Sequence, residues 1–305
     1  MKRAAIFDIG SVSVKMLVAE ADGNGGFRPL IERARVTRLG EGLAGRADFL
    51  PVAAQRTLRA LGEFAAEAAG LGVERMEALG TEALRRVADA RPFAAELSRL
   101  TGVPLEILDP ASEARLAYRS GRALVEDGDA PLCTLDVGGG STEILSGEGA
   151  LPVGRALLPI GALRLKEACV RCEPPGEAEV ACMVRTVAEA SSRRFAAVAC
   201  SRLVGMGGTI MVLSSVLRGD PSFEPTLLHG RRLSLEGVRG VIRAMVGLAP
   251  EERARVKGLP ADRADLALPG AVIVAEVMTR LGVPDLVASA WGIRHGRAAE
   301  LFETG

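Results

Sequence analysis

Residues 134–145 read Thr-Leu-Asp-Val-Gly-Gly-Gly-Ser-Thr-Glu-Ile-Leu, so three glycines follow an apolar run ending in Asp136, and Glu143 comes just after. Glycine has no Cβ, which lets a backbone approach a ligand closely and adopt turns that other residues resist. Successive backbone N–H groups in such a turn form a concavity for anions. Gly138, Gly139, Gly140 and Ser141 suit that role. The same device occurs at Asp8-Ile-Gly-Ser-Val-Ser, where Gly10, Ser11 and Ser13 supply the turn. Gly207-Gly208-Thr209 lies between an apolar run and a helical pattern, and a helix N-terminus favours anions.

The carboxylates decide what the anion needs. Asp8 and Asp136 end their apolar runs beside phosphate-sized turns. They would repel a phosphate unless a cation stood between. Mg²⁺ fits, since it takes oxygen ligands from one or two carboxylates and substrate phosphate and keeps several waters. Asp8 and Asp136 are the expected ligands, with Glu143 joining through water. Any one of these turns can be only a turn, and Asp136 alone can be a capping side chain. Three together point to phosphate. Neither a Walker A sequence nor GxGxxG stands at these loops, which argues against P-loop and Rossmann readings.

The elements that must hold these residues follow from periodicity. Ala4–Phe7 and Val12–Ala19 read as strands around the first turn, with a hairpin at 21–26 to a third strand over Phe27–Thr37. Helices are expected over Pro51–Ala69, from Thr81 as cap through Arg86, over Pro92–Leu100 and over Ala111–Leu124. Met76–Leu79 and Leu105–Leu108 read as strands. After a break at Gly128-Asp129-Ala130-Pro131 the opening pattern recurs. The second half then predicts helices over Gly161–Cys172, Ala178–Ala197, Ser234–Met245, Pro250–Val256, Arg263–Leu281 and Gly292–Phe302. Strands are expected at Arg202–Met206 and Val283–Ser289. One repeat at this spacing implies two related lobes, because solenoid repeats recur every ~20–50 residues.

The totals agree. A chain of 305 residues is long enough for two domains. Lys+Arg and Asp+Glu both number 38, a balance that argues against a general nucleic-acid or membrane-surface binder while leaving room for a basic groove. Five cysteines, an odd number, do not suggest a disulfide framework. Cys169-Val-Arg-Cys172 lacks a second CxxC, so zinc is not expected, and reduced thiols are. The first residues lack a signal-peptide core and no apolar run approaches the ~18 residues of a membrane span, so a cytoplasmic protein is expected.

Blocks along nearly the whole chain resemble the exopolyphosphatase and guanosine pentaphosphate phosphatase family of the acetate-kinase, sugar-kinase, heat-shock chaperone and actin superfamily. They are FDIGSVSVKMLVAE at 7–20, ALGTEALRRVADA at 78–90, SEARLAYRSG at 112–121, LDVGGGSTEI at 135–144, GMGGTIMVLSSV at 205–216, HGRRLS at 229–234, LPADRADLALPGAVIVAEVM at 259–278 and SAWGIRHGRAAELF at 289–302. The resemblance implies an α/β fold of two actin-like (ribonuclease H-like) domains with a cleft between them. Residues 1–124, completed by the helix at 292–305, would form one domain and 125–291 the other. It implies Mg²⁺-dependent hydrolysis of a terminal phosphoanhydride bond in polyphosphate or a guanosine polyphosphate. Glu113 would be the catalytic base, with Asp136 and Glu143 holding metal and water.

Read from the residues alone, Glu113 could equally be a helix-start glutamate that suits the dipole. Arg85 and Arg86 are plausible cleft cations or solvated helix faces, Arg115 an internal ion pair, and His229 and His295 structural groups. The chain departs from the family pattern at Val12, where an asparagine is usual, and at Asp109-Pro110, where Ser-Gly is usual. Those departures keep a second reading open, a non-catalytic sensor of a phosphate ligand or guanosine polyphosphate. A kinase of the superfamily is a third. A homodimer is the default expectation.

Overall fold

In the computed structural model the described residues are 2–125, 131–192, 200–219 and 223–303. The chain divides into two compact units, Met1–Leu116 with Ile293–Gly305, and Ala117–Gly292.

The first unit is built on β1 (Arg3–Ile9), β2 (Ser13–Ala21), β3 (Phe27–Val36), α1 (Pro51–Gly70), β4 (Arg75–Gly80), α2 (Glu82–Arg86), α3 (Arg91–Thr101), β5 (Leu105–Ile107) and the start of α4 (Pro110–Arg122). Its sheet runs β3-β2-β1-β4-β5. β1 and β2 are antiparallel with Asp8 opposite Lys15, and β4 lies parallel to β1. Ile6, Phe7, Met16 and Leu17 are fully or almost fully buried, because a central strand covered on both faces reads as a continuous apolar run. α1 begins with Pro51 at its first turn and buries Ala53, Ala60, Leu61 and Phe64, the stripe its periodicity requires.

The second unit continues with β6 (Leu132–Val137), β7 (Thr142–Gly147), β8 (Gly154–Leu158), α5 (Ala162–Cys169), α6 (Glu177–Ser191), β9 (Leu203–Met206), α7 (Gly207–Arg218), α8 (Pro225–Leu228), β10 (Arg232–Ser234), α9 (Leu235–Met245), α10 (Pro250–Arg253), α11 (Ala264–Leu281) and β11 (Asp285–Ser289). α12 (Ile293–Glu303) returns to the first unit. The second sheet runs β10-β11-β9-β6-β7-β8. β6, β7 and β8 are antiparallel neighbours, while β9 is parallel to β6 and β11 to β9. The strand plan of the first sheet therefore recurs, as the repeated Asp-x-Gly device requires. α11 forms the spine of the second core: Leu268, Val272, Ile273 and Val274 are buried to 1% exposure or less.

Most expected elements stand within a few residues of their sequence limits. The unit boundary falls inside α4, ahead of the break at 124. The helix expected over 178–197 is described only to Ser191, and its tail lies outside the described residues. β8, β10 and α8 had no sequence expectation. Ser234 precedes α9 rather than beginning it, its hydroxyl accepting from Gly237 N at 3.0 Å. Thr81 does not cap α2 with its side chain; its hydroxyl donates to the Ile9 carbonyl at 3.2 Å, tying α2 to the end of β1.

α12 is locked into its own unit by charge. Arg294 donates to the Met16 carbonyl at 3.0 Å and to Glu32 at 3.3 Å. His295 Nε2 stands 3.5 Å from Glu32, long for a hydrogen bond, and acts there as a charge when protonated. Burial raises the Glu32 pKa, but His295 and Arg294 outweigh it and leave the carboxyl below its usual 4.5. A group depressed in the folded state adds stability that is lost as pH falls through its folded pKa. Glu32→Gln is therefore expected to lower Tm at neutral pH and to flatten the Tm decline below about pH 4.5, as thermal melts across pH 3–7 would show.

Candidate phosphate-binding site

The two repeated turns have the same geometry. Gly10 N donates to the Ser13 carbonyl at 3.1 Å, and Gly138 N to the Ser141 carbonyl at 3.0 Å. A Cβ at Gly10 or Gly138 would press on that carbonyl at 3.2 or 3.3 Å. These two N–H groups are thus spent inside the turns, and the donors for an anion must come from the residues between.

In the second unit the next two peptides are oriented by α5. The Gly138 carbonyl accepts from Ala162 N at 2.9 Å, and the Gly139 carbonyl accepts from Leu163 N at 3.0 Å and Arg164 N at 3.1 Å. The loop thereby satisfies N–H groups that a helix start leaves without partners. A trans peptide sets the following N–H opposite its carbonyl. The N–H groups of Gly139 and Gly140 therefore both point away from α5, side by side, as an anion nest requires. Gly161 makes this contact possible: a Cβ there would stand 2.5 Å from the Gly138 and Gly139 oxygens.

Asp136 and Glu143 sit directly opposite each other on β6 and β7, so their side chains share one sheet face. Like charges in that arrangement repel. Arg155 Nε donates to Glu143 at 2.6 Å and relieves part of it. Asp136 also reaches the start of α7, where Gly207 has φ +89° and a Cβ would meet Asp136 Oδ1 at 2.5 Å. Thr209 donates its hydroxyl to the Val137 carbonyl at 3.1 Å, and Gly270 of α11 packs against its methyl. The Gly207-Gly208-Thr209 loop and the Gly138–Ser141 loop accordingly meet at the end of β6. Two facing carboxylate oxygen donors at the N-terminus of a helix fit a hard divalent cation. Among the described residues no group of three His, Cys, Asp or Glu forms a closed metal cage.

In the first unit the equivalent residues are more fully engaged with protein. Asp8 faces Lys15 rather than a second acid, Nζ to Oδ2 3.7 Å. The Ser11 hydroxyl donates to Glu82 at 2.8 Å and its carbonyl accepts from Gly40 N at 2.8 Å. Ser13 is buried. The Ser11–Val12 peptide turns the Val12 N–H away from residue 40, the counterpart of the Gly139 arrangement. Glu113 lies in the first turn of α4, half-buried, with its carboxylate 2.6 Å from Arg85 Nη1, which also donates to the Leu108 carbonyl at 2.8 Å. Arg85 is therefore an orienting partner of Glu113 rather than a solvated cation. Arg115 pairs with Glu300. His229 accepts from Ala290 N at 3.1 Å and stacks on Trp291, and His295 is packed as described above.

Asp109 corrects an expectation. Its carboxylate does not add loose charge near Glu113; Oδ1 accepts from Ala111 N at 2.8 Å and Ser112 N at 3.0 Å, and Oδ2 from the Ser112 hydroxyl at 2.6 Å. It caps α4, and Pro110 occupies the first helical position, where a missing N–H costs nothing. The Ser112 hydroxyl, with the two backbone donors, holds the Asp109 carboxyl below its ordinary range. Asp109→Ala is expected to lower Tm at pH 7. The difference should vanish as pH falls below about 3.9 and through the depressed folded value, a trend pH-dependent melts would display.

One cation escaped sequence reading. Arg263 sets its guanidinium against Gly208, where a Cβ would collide with it, and lies 6.0 Å over the Phe223 ring. Its signal was its place in the LPADRAD block, far from the loop in sequence.

Similarity to known proteins matches this arrangement. The chain is 29% identical over 316 residues to "Exopolyphosphatase 2" of Mycobacterium tuberculosis, covering 99% of both. It is 28% identical to "Exopolyphosphatase 1" of Mycobacterium bovis, covering 96% of this chain and 86% of the relative. The structure of the Aquifex aeolicus PPX-GPPA enzyme superposes with a TM-score of 0.82 at 29% identity, covering 98% and 99% of the two chains. The fold is accordingly the actin-like α/β fold of two domains. The model of the Ppx/GppA phosphatase family matches residues 17–304, and the chain belongs to that family.

Proposed function

We propose that the protein hydrolyses the terminal phosphoanhydride bond of inorganic polyphosphate, with guanosine pentaphosphate as the alternative substrate. The observation that carries this reading is the pair of Gly139 and Gly140 N–H groups turned away from α5, beside two facing carboxylates. The relatives named exopolyphosphatase support the polymer as substrate.

Each residue has a role in this reading. Gly139 and Gly140 hold phosphate oxygens, with the N-terminus of α7 at Gly207, Gly208 and Thr209 supporting a second phosphate. Arg263 adds positive charge at that helix start. Asp136 holds a divalent cation and Glu143 its water shell, Arg155 steadying Glu143. Mg²⁺ bound there would neutralise phosphate charge. In the first unit Glu113, oriented by Arg85, takes the proton of the attacking water. Anhydride cleavage has a loose transition state, so positioned donors and charge supply most of the acceleration. Asp8, Gly10, Ser11 and Ser13 stand as the family-derived metal and phosphate residues of the first unit, with Lys15 opposite Asp8 adding a cation.

The test is phosphate release from polyphosphate and from guanosine pentaphosphate in parallel, each with Mg²⁺. Faster release from the polymer is expected. Tight binding of the nucleotide without product would instead assign the sensor reading, for which Val12 and the engaged Ser11 hydroxyl are the motivating features.

A further inference from the structure

Cys133 is the second residue of β6 and is fully buried. Cys200 is half-buried and lies just ahead of β9, the parallel neighbour of β6, in which Leu203 stands opposite Cys133. Both cysteines converge on one carbonyl. Cys133 N donates to the Arg202 oxygen at 2.8 Å, and Cys200 Sγ donates to the same oxygen at 3.5 Å. Ser201 between them donates to the Pro131 carbonyl at 2.9 Å, which clamps the segment against the start of β6. We propose that Cys133 and Cys200 form a reactive dithiol that closes to a disulfide on exposure to hydrogen peroxide.

The roles of the two sulfurs differ. The Cys133 thiol hydrogen-bonds to the Cys200 sulfur, which holds the Cys200 thiol below its ordinary range. The same bond, together with burial, pushes Cys133 up. Cys200 is also the more accessible of the two, so it is the attacking thiolate. Its sulfur attacks one peroxide oxygen, the O–O bond breaks, and the departing hydroxide takes up a proton as water, leaving Cys200 as a sulfenic acid. The Cys133 sulfur then attacks the Cys200 sulfur. The S–O bond breaks, and the hydroxyl leaves as water with the Cys133 proton. Two thiols are oxidised and one peroxide is reduced to two waters. The bond staples β6 to the chain entering β9, strands whose opposite ends carry Asp136 and Gly207.

A second pair provides the internal comparison. Cys169 packs near Cys182, and its Sγ lies 3.4 Å from the Thr186 hydroxyl. Burial pushes Cys169 up, and Cys182 raises it further. Nothing there lowers the Cys182 thiol, so this pair is the slower one.

The experiment treats the full chain with a small molar excess of hydrogen peroxide and maps peptides without reduction. The expected result is a mass loss of about 2 Da, a Cys133–Cys200 linked peptide, and recovery of both thiols with dithiothreitol. Cys133→Ser should stop at a Cys200 sulfenic acid trapped by dimedone, and Cys200→Ser should leave Cys133 a thiol. A linkage through Cys169, Cys172 or Cys182 in place of Cys133–Cys200, overoxidation of Cys200 beside an unchanged Cys133, or no change in mass would overturn the proposal.

Discussion

Gly161→Ala abolishes most substrate turnover while leaving the fold intact. The backbone of Gly161 is extended, φ −125° and ψ 177°, so alanine meets no conformational penalty there. The cost is spatial. The new Cβ would press on the Gly138 and Gly139 carbonyls, backbone atoms that cannot rotate aside as a side chain can. Either α5 or the loop must move. Overpacking of this kind costs about 1–3 kcal/mol of stability. Displacing the Gly139 and Gly140 donors by about 1 Å costs about 10²-fold in rate. Steady-state phosphate release should fall by that amount, with circular dichroism unchanged. Gly45→Ala is the control, because no heavy atom lies within 4 Å of its added Cβ. Equal activity in the two variants would remove the loop from the site.

Glu113→Gln carries the second large effect. If Glu113 takes the water's proton, the amide lowers kcat by about 10²- to 10⁴-fold with KM little changed. The amide keeps the size of the side chain and can still accept from Arg85. If Glu113 merely suits the dipole of α4, the same change costs about 0.3–1 kcal/mol of stability and leaves kcat alone. Measuring kcat and Tm on one preparation separates the two. Arg85→Met adds a further check: a freed Glu113 carboxylate loses its orientation, so kcat should drop while polyphosphate KM holds.

Much of this was legible in the chain. The repeat of Asp-x-Gly-Ser announced two lobes, and the structure shows why the pattern must recur. In each turn the first glycine closes onto the carbonyl of the serine three residues on, and that approach tolerates no bulk. Helix starts were readable at Pro51 and Ser234, where local chemistry decides. Asp109-Pro110 carries a helix-start signal of the same local kind, which attention to its charge alone obscures. Other features were not local. Arg85 and Glu113 meet across a helix and a strand, and Arg263 reaches Gly208 from another element, so no spacing rule connects them. β8 and β10 are edge strands of five and three residues, too short for alternation to show. The convergence of Cys133 and Cys200 needs the β6–β9 ladder, which sequence separation hides.

The most direct measurement is the chain-length distribution of polyphosphate incubated with the protein and Mg²⁺, resolved by ion chromatography. The account predicts orthophosphate as the sole small product, chains shortening from their ends, and no release once the divalent cation is chelated. Internal fragments without orthophosphate, or release that proceeds equally with Glu113→Gln, would contradict it.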